Sequence, residues 1–330
     1  MRALLVREFG PLHSHKIEDV PEPAIGPRDV LIEVRAIGLN FPDTLMLQGK
    51  YQTRPDRPFV PGRDAAGVVL ATGKEVTRVK TGDRVIAQVT FGAFADKLSA
   101  PEARCFVMPA KMDFVAGAGM VTIYNTAYVA VVIRGELKPG QTVLVAGASG
   151  GVGLACVQIA KAKGARVLAG VTSSEKGDVA RASGADEVID LSKPDLRESL
   201  RQQVFAVTEG RGVDAVFDPV GGDVFDASLR ALAYAGRIVV IGFASGRIPD
   251  VKANYLLMKN LAVVGAPLDI HFKMEPKVMD AAVADIFRMY EQGKIKPEIM
   301  ATFPLTKIHD AMDLIVDRKV KGKIVLTTRA

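Results

Sequence analysis

Apolar and polar residues along this 330-residue chain change their rhythm near residue 115. Before that point lie short β-rich runs, among them Val30-Leu31-Ile32-Glu33-Val34-Arg35-Ala36 and Gly67-Val68-Val69-Leu70. Proline and glycine punctuate them: Pro21, Pro23, Gly26 and Pro27, then Pro55, Pro58, Pro61 and Gly62. Such breaks between strand-like runs predict an all-β or barrel-like unit. From about 115 to 265 strands alternate with helical patterns at the spacing of βαβ units. Strands are expected over 142–146, 166–171, 187–190, 215–218, 237–241 and 261–264, enough for a parallel sheet. A helix over 152–163 carries apolar residues at Val152, Cys156, Ile159 and Ala160, with Gly164 placed as its C-cap. Beyond 265 the pattern is helical over 277–292 and 308–317, and a strand over 323–326 closes the chain. An α/β domain interrupting a β-rich one puts both termini in the same domain.

Composition is that of a globular protein, 48% hydrophobic and 24% charged. The length suffices for two domains with a buried core. The formal charge of +6 comes from scattered Lys and Arg, which reads as a solvated surface and lends nucleic acid no support. The N-terminal apolar run, Ala3-Leu4-Leu5-Val6, is shorter than the roughly 7–15 residues of a secretory core. The uncharged stretch 114–133 approaches the about 20 residues of a membrane span. It contains Gly117, Gly119, Thr122, Tyr124, Asn125 and Thr126, so a buried interdomain helix is expected and no membrane partner. Cys105 and Cys156 lie far apart, which is neither a disulfide framework nor a zinc finger. A cytoplasmic enzyme is the simplest fit.

The candidate chemistry begins at Gly147-Ala148-Ser149-Gly150-Gly151-Val152-Gly153, between an apolar strand and an apolar-faced helix. A lone glycine triplet is a weak signal; this context strengthens it. Small residues let the backbone turn tightly and approach a pyrophosphate, whose charge the helix N–H groups and dipole stabilise. Folds that take NAD place an acid at the end of the second strand, roughly 20 residues on. Here that region reads Val171-Thr172-Ser173-Ser174-Glu175-Lys176, with hydroxyls and then a lysine at the strand end. These would bind a 2′-phosphate that an acid would repel, so NADP(H) is the expected cofactor. Thr172-Ser173-Ser174 also reads as a helix N-cap cluster. Arg181 and Lys193 are further candidates that surface positions explain as well.

Further motifs run through the chain: Gly38-Leu39-Asn40-Phe41-Pro42-Asp43 continuing to Gly49-Lys50-Tyr51, and Val60-Pro61-Gly62-Arg63-Asp64-Ala65-Ala66-Gly67-Val68-Val69. Others are Gly82-Asp83-Arg84-Val85, Asp218-Pro219-Val220-Gly221-Gly222, and Asn254 with Lys259-Asn260. Together with the glycine loop they resemble the medium-chain dehydrogenase/reductase superfamily, in its quinone oxidoreductase branch, over essentially the whole chain. The resemblance implies an α/β protein: a GroES-like β-rich catalytic domain over 1–117 and 266–330, with an inserted Rossmann NADP-binding domain over 118–265. The superfamily's zinc-dependent alcohol dehydrogenases carry Cys where this chain has Asn40, and Gly-His-Glu where it has Gly62-Arg63-Asp64. A guanidinium has no lone pair to ligate a cation, so no metal is expected. His13, His15, His271 and His309 fall outside the motifs and read as surface or satisfied residues.

Without a Lewis acid a plain ketone is a hard substrate. A conjugated carbonyl or quinone delocalises the arriving charge onto a remote oxygen, where a few hydrogen-bond donors suffice. Asn40 and Tyr51 match positions lining the family's active-site cleft and are the expected donors. Asp43 belongs to the same motif, and a first-turn helix carboxylate explains it equally. The resemblance adds Thr126, Gly242-Phe243 and Asn254 to the cofactor contacts, and places Leu191 where relatives often stack a tyrosine on adenine. It also suggests a homodimer, through the sheet-edge segment 261–264. Two other functions fit the same residues: reduction of enoyl or acryloyl thioesters, and a structural or RNA-binding role for an NADPH-binding protein.

Overall fold

The computed structural model describes residues 1–52 and 54–328. The chain divides into two compact units, Met1–Thr122 with Pro297–Ala330, and Ile123–Lys296. Both termini fall in the first.

The first unit is built on a largely antiparallel seven-stranded sheet. Its central strand, Asp29–Leu39, pairs with Asp64–Thr72 on one side and with Lys97–Pro101 and Lys323–Thr327 on the other. The strand alternates, placing Val30, Ile32 and Val34 inward, until its last residues, Ala36–Leu39, are buried on both faces. Asn40 follows directly on that buried end. A Cβ on Gly38 would stand 2.2 Å from the Ala118 carbonyl oxygen, so only glycine lets the helix Phe114–Tyr128 lie this close to the strand. The core gathers Leu4, Ile32, Ile37, Leu47, Phe94 and Leu326.

The second unit is a parallel six-stranded sheet. In spatial order the strands are Glu187–Asp190, Arg166–Val171, Thr142–Ala146, Val213–Asp218, Leu232–Val240 and Ala262–Gly265. Numbered along the chain, that order is 3-2-1-4-5-6, the doubly wound arrangement of a Rossmann fold. Its central strands are apolar without alternation because helices cover both faces, as in Thr142–Ala146, which is buried throughout. The expected strands over 142–146, 166–171 and 187–190 have those bounds. The strand expected over 261–264 is shifted by one residue, to Ala262–Gly265.

Two boundaries differ from the sequence expectation. The segment 118–122 stays with the first unit because Thr122 hydrogen-bonds Asp64 and accepts from Gln88 there. The segment 266–296, expected with the β-rich domain, belongs to the second unit. Its helix Pro276–Glu291 carries Asp285, which accepts from Tyr128 Oη at 2.8 Å and from Lys163 Nζ at 2.7 Å. Further on, Gln158 Nε2 donates to the Lys296 carbonyl at 2.9 Å. Phe114–Tyr128 continues as a π-helical segment, Val129–Arg134. Among the described residues this run alone is long and apolar enough to cross a membrane, and it is mostly buried in the protein.

Candidate functional site

In the second unit the glycine loop follows the first strand and leads into the helix Gly151–Ala162. Gly147 takes φ +59°, a left-handed conformation that favours glycine. A Cβ on Gly153 would meet the Gly147 carbonyl oxygen at 2.2 Å, so the loop closes tightly on the first helical turn. Over Gly150 the space is open, with nothing nearer a Cβ than 3.6 Å. Gly150 is the N-cap and no side chain caps the helix. Its first N–H groups are therefore left to whatever lies beyond the turn. Ser149 and Gly151–Gly153 complete this cradle, which fits a pyrophosphate.

Two neighbouring turns close on the loop. Asp218, at the end of the adjacent strand, accepts from Val220 N at 2.8 Å and Gly221 N at 2.9 Å, shaping the Pro219–Gly222 turn. A Cβ on Gly147 would touch Val220 at 2.9 Å. The Gly242-Phe243 segment lies along the same turn, through Ala244 N to Pro219 O at 3.1 Å and Ser245 N to Val220 O at 2.9 Å. The loop and these turns share the carboxyl ends of adjacent strands where the strand order reverses, the place where doubly wound sheets bind ligands.

The next strand ends at Val171 and the chain runs on through Thr172, Ser173 and Ser174, with no acid along it before Glu175, while Asp190 of the neighbouring strand pairs with Val171 in register. Ser173 caps the helix Ser174–Ala182, its Oγ accepting from Lys176 N at 3.3 Å. The Lys176 ammonium lies back over the strand end, 3.4 Å from Thr172 Oγ1. The stretch therefore provides a cap at Ser173 and brings a hydroxyl and a cation together at Thr172 and Lys176. Arg181 is paired with Asp178 at 3.0 Å. Leu191 packs over Gly170, where a Cβ would stand 3.1 Å from it. Thr126 is buried on Phe114–Tyr128, and Asn254 is exposed in the first turn of Ala253–Lys259. Lys259 donates to the carbonyls of Arg230 and Leu232, which end the helix Gly222–Ala231; it acts as a helix cap.

In the first unit Asn40, Asp43 and Asp64 come together. Asn40 caps the short helix Phe41–Leu47, and its backbone N–H donates to Asp43 Oδ2 at 2.7 Å in a capping box. Its side chain is fully engaged: Nδ2 donates to Asp64 Oδ2 at 2.9 Å and to the Gly38 carbonyl at 3.3 Å, while Oδ1 accepts from Lys323 Nζ at 2.5 Å. Asp64 also accepts from Thr122 Oγ1 at 2.5 Å and lies 3.6 Å from the Lys323 ammonium. Arg63, Asp43, Asp64 and Lys323 are all buried. Burial pushes Asp43 up to about 7, with the Asn40 N–H opposing and Asp64 adding to the shift. Burial pulls Lys323 down, against the attraction of Asp64 and Asp43. Tyr51 is half-buried against the same core.

Lys323 escaped the sequence reading. It opens a strand expected to serve only closure, and its partner lies 283 positions away. The one available signal was a charged residue at the head of an apolar strand. His13 and His309 stack on each other at 5.1 Å, and His271 Nδ1 lies 2.8 Å from the Pro267 carbonyl. Among the described residues no group of three or more His, Cys, Asp or Glu could hold a metal ion.

Comparison with known proteins matches residues 26–135 to the alcohol dehydrogenase GroES-like domain and 151–283 to the zinc-binding dehydrogenase family. The chain is 37% identical over 333 residues to quinone oxidoreductase-like protein 2 homolog of Nematostella vectensis, covering 99% of this chain and 89% of that one. It is 33% identical over 344 residues to the synaptic vesicle membrane protein VAT-1 homolog of Rattus norvegicus, covering 99% and 84%. The structure of Escherichia coli quinone oxidoreductase complexed with NADPH superposes with a TM-score of 0.91 at 28% identity, covering 99% of this chain and 100% of that one.

The Asp43 carboxyl generates a prediction. Between its ordinary value of 3.8 and about 7, the unfolded chain releases a proton that the folded chain keeps. Native stability therefore falls as pH rises through that window and levels off above it. Asp43→Asn retains an acceptor for the Asn40 N–H but does not titrate. Its melting temperature relative to wild type should rise from pH 4 to pH 7, by scans at matched ionic strength; parallel curves would contradict the assignment.

Proposed function

The chain belongs to the medium-chain dehydrogenase/reductase superfamily, in its quinone oxidoreductase-like branch, and from that premise we propose that it is an NADPH-dependent reductase of quinones or other conjugated carbonyls, working without a metal. The observation that carries this reading is the strand end beyond Val171, where the Lys176 ammonium lies against Thr172 and residues 172–174 are hydroxyl side chains rather than an acid. A 2′-phosphate finds a hydroxyl and a cation there. The uncapped helix N-terminus behind Gly147–Gly153 suits the pyrophosphate, and the backbone of Gly242 and Phe243 suits the nicotinamide. We assign Thr126 and Asn254 to the same cofactor on the family resemblance.

Bound NADPH supplies the hydride. The chain's own part is to orient a conjugated acceptor and stabilise the negative charge that develops on its oxygen. Tyr51 takes the role of a neutral hydroxyl donor. Asn40 takes that of an amide donor, by exchanging its 3.3 Å bond to Gly38 for one to the acceptor. Asp43 holds Asn40 in place through the backbone, and solvent delivers the proton. Metal independence is supported by the donor chemistry. Asn40 Oδ1 already accepts from an ammonium, Arg63 has no lone pair to give, and a divalent cation beside both would meet two like charges. Buried Cys105 and Cys156 are free thiols, in keeping with a cytoplasmic, reducing location.

A homodimer is the proposed assembly. Ala262–Gly265 is the edge strand of the six-stranded sheet. Leu257 and Met258 on the helix before it, and Ile270 and Met274 on the helix after it, are exposed. An open edge flanked by large apolar side chains invites pairing. Leu257→Glu should convert a dimer to a monomer in sedimentation velocity; an unchanged species, or a wild-type monomer, would exclude this surface.

The activity itself is tested by NADPH oxidation with 1,4-benzoquinone and with crotonyl-CoA. Turnover of the quinone is expected; turnover of the thioester alone would make this a thioester reductase. Tight NADPH binding with no oxidation by either acceptor, reversed by RNA, would point to a binding protein. Lys176→Ala should raise KM for NADPH about tenfold or more while leaving KM for NADH nearly unchanged, as expected for loss of a charge-assisted phosphate contact. Equal effects on both would remove Lys176 from the 2′-phosphate site.

A further inference from the structure

The Asn40 amide has only one possible orientation. An ammonium can only donate and a carboxylate can only accept, so Oδ1 must face Lys323 and Nδ2 must face Asp64. The amide dipole is thus held between a buried cation and a buried anion. Of the three bonds the side chain makes, those to Lys323 at 2.5 Å and Asp64 at 2.9 Å are short. The bond to the Gly38 carbonyl, at 3.3 Å, is long for an N–H···O contact and is the one an incoming oxygen can replace. An ammonium on Oδ1 also draws density from the amide and strengthens its N–H groups as donors. Lys323 itself is buried, so it acts through Asn40.

We propose that Lys323 is a positioning residue for the reduction: by locking Oδ1 of Asn40, it holds the second Nδ2 hydrogen, now on the Gly38 carbonyl, as the donor presented to the acceptor oxygen. This rests on the reading of Asn40 as an acceptor-binding donor. Lys323 reaches its place on the strand Lys323–Thr327, whose next residue, Ile324, pairs with Leu39. The final strand thereby delivers a cation to the residue that begins the helix Phe41–Leu47. The other charged groups acting on the ammonium are Asp64 and Asp43, both of which favour its protonated form. Arg63 acts on the same Asp43.

A double-mutant cycle on the full-length protein tests this, with kcat and KM measured for 1,4-benzoquinone and NADPH affinity measured by fluorescence. Asn40→Ala should lower kcat about a hundredfold, the scale of losing one donor to a developing oxyanion. Lys323→Met should lower it about tenfold, as for loss of a partner that orients a reacting group, with NADPH affinity unchanged. Lys323→Arg should restore most of the rate. In the Asn40→Ala background, Lys323→Met should change kcat by less than about twofold, because its effect passes through the missing amide. Lys323→Met strands the Asp64 carboxylate and can fail to fold; Asp64→Asn/Lys323→Met removes that ion and, with both partners of the amide changed, should show a loss of about tenfold or more. A slow Asn40→Ala beside a wild-type rate in Lys323→Met and in Asp64→Asn/Lys323→Met, or fully additive losses, overturns the role of Lys323 alone. A wild-type rate in Asn40→Ala overturns the reading of Asn40, and the proposal with it.

Discussion

Burying the Asp64 carboxylate is the constraint around which the first unit is organised. An ion taken out of water costs several kcal/mol unless charges and donors replace its hydration. Here the replacements come from three distant parts of the chain: Asn40 at the end of the central strand, Thr122 on the long apolar helix, and Lys323 on the last strand. Satisfying one side chain therefore fixes where the helix lies, where the C-terminal strand pairs and which way the Asn40 amide points. Gly38 makes the arrangement possible, since any larger residue would push the helix and its Thr122 away from the strand. In the proposed function the same bonds that stabilise the fold prepare an amide donor.

The second unit solves a different problem, bringing backbone close to an anion. Gly147 supplies a turn that a side chain would strain, and Gly153 allows the loop to close on the helix. The parallel sheet sets three such turns side by side at the carboxyl ends of its strands, so the cradle follows from strand order as much as from glycine content. Specificity is then local. In the proposed function, a serine cap and a lysine folded over a threonine take the place of the carboxylate that would select the other nicotinamide cofactor.

Features written in local patterns were legible in the sequence. The glycine loop, the absent acid after Val171 and the apolar strands of the parallel sheet depend on neighbours in the chain, and each was read from them. Features that depend on distant partners were not. Lys323 looked like the start of a closing strand, because nothing near it hints at Asn40 or Asp64. The segment 266–296 was given to the β-rich domain, because the pull of Asp285 on Tyr128 and Lys163 is invisible along the chain. Lys259, flagged by a motif, acts as a helix cap, a role that only the fold assigns. Asn40 was expected as a donor, and the structure engages both ends of its side-chain amide, in two short bonds and one of 3.3 Å.

Reduction of a conjugated acceptor with NADPH and no metal is the function proposed for this fold. Its most direct test is the rate of NADPH oxidation by 1,4-benzoquinone before and after exhaustive chelation, with metal content checked by mass spectrometry. The rate should be unchanged by chelation and unaffected by added zinc. Activity lost on chelation and restored by zinc would contradict it.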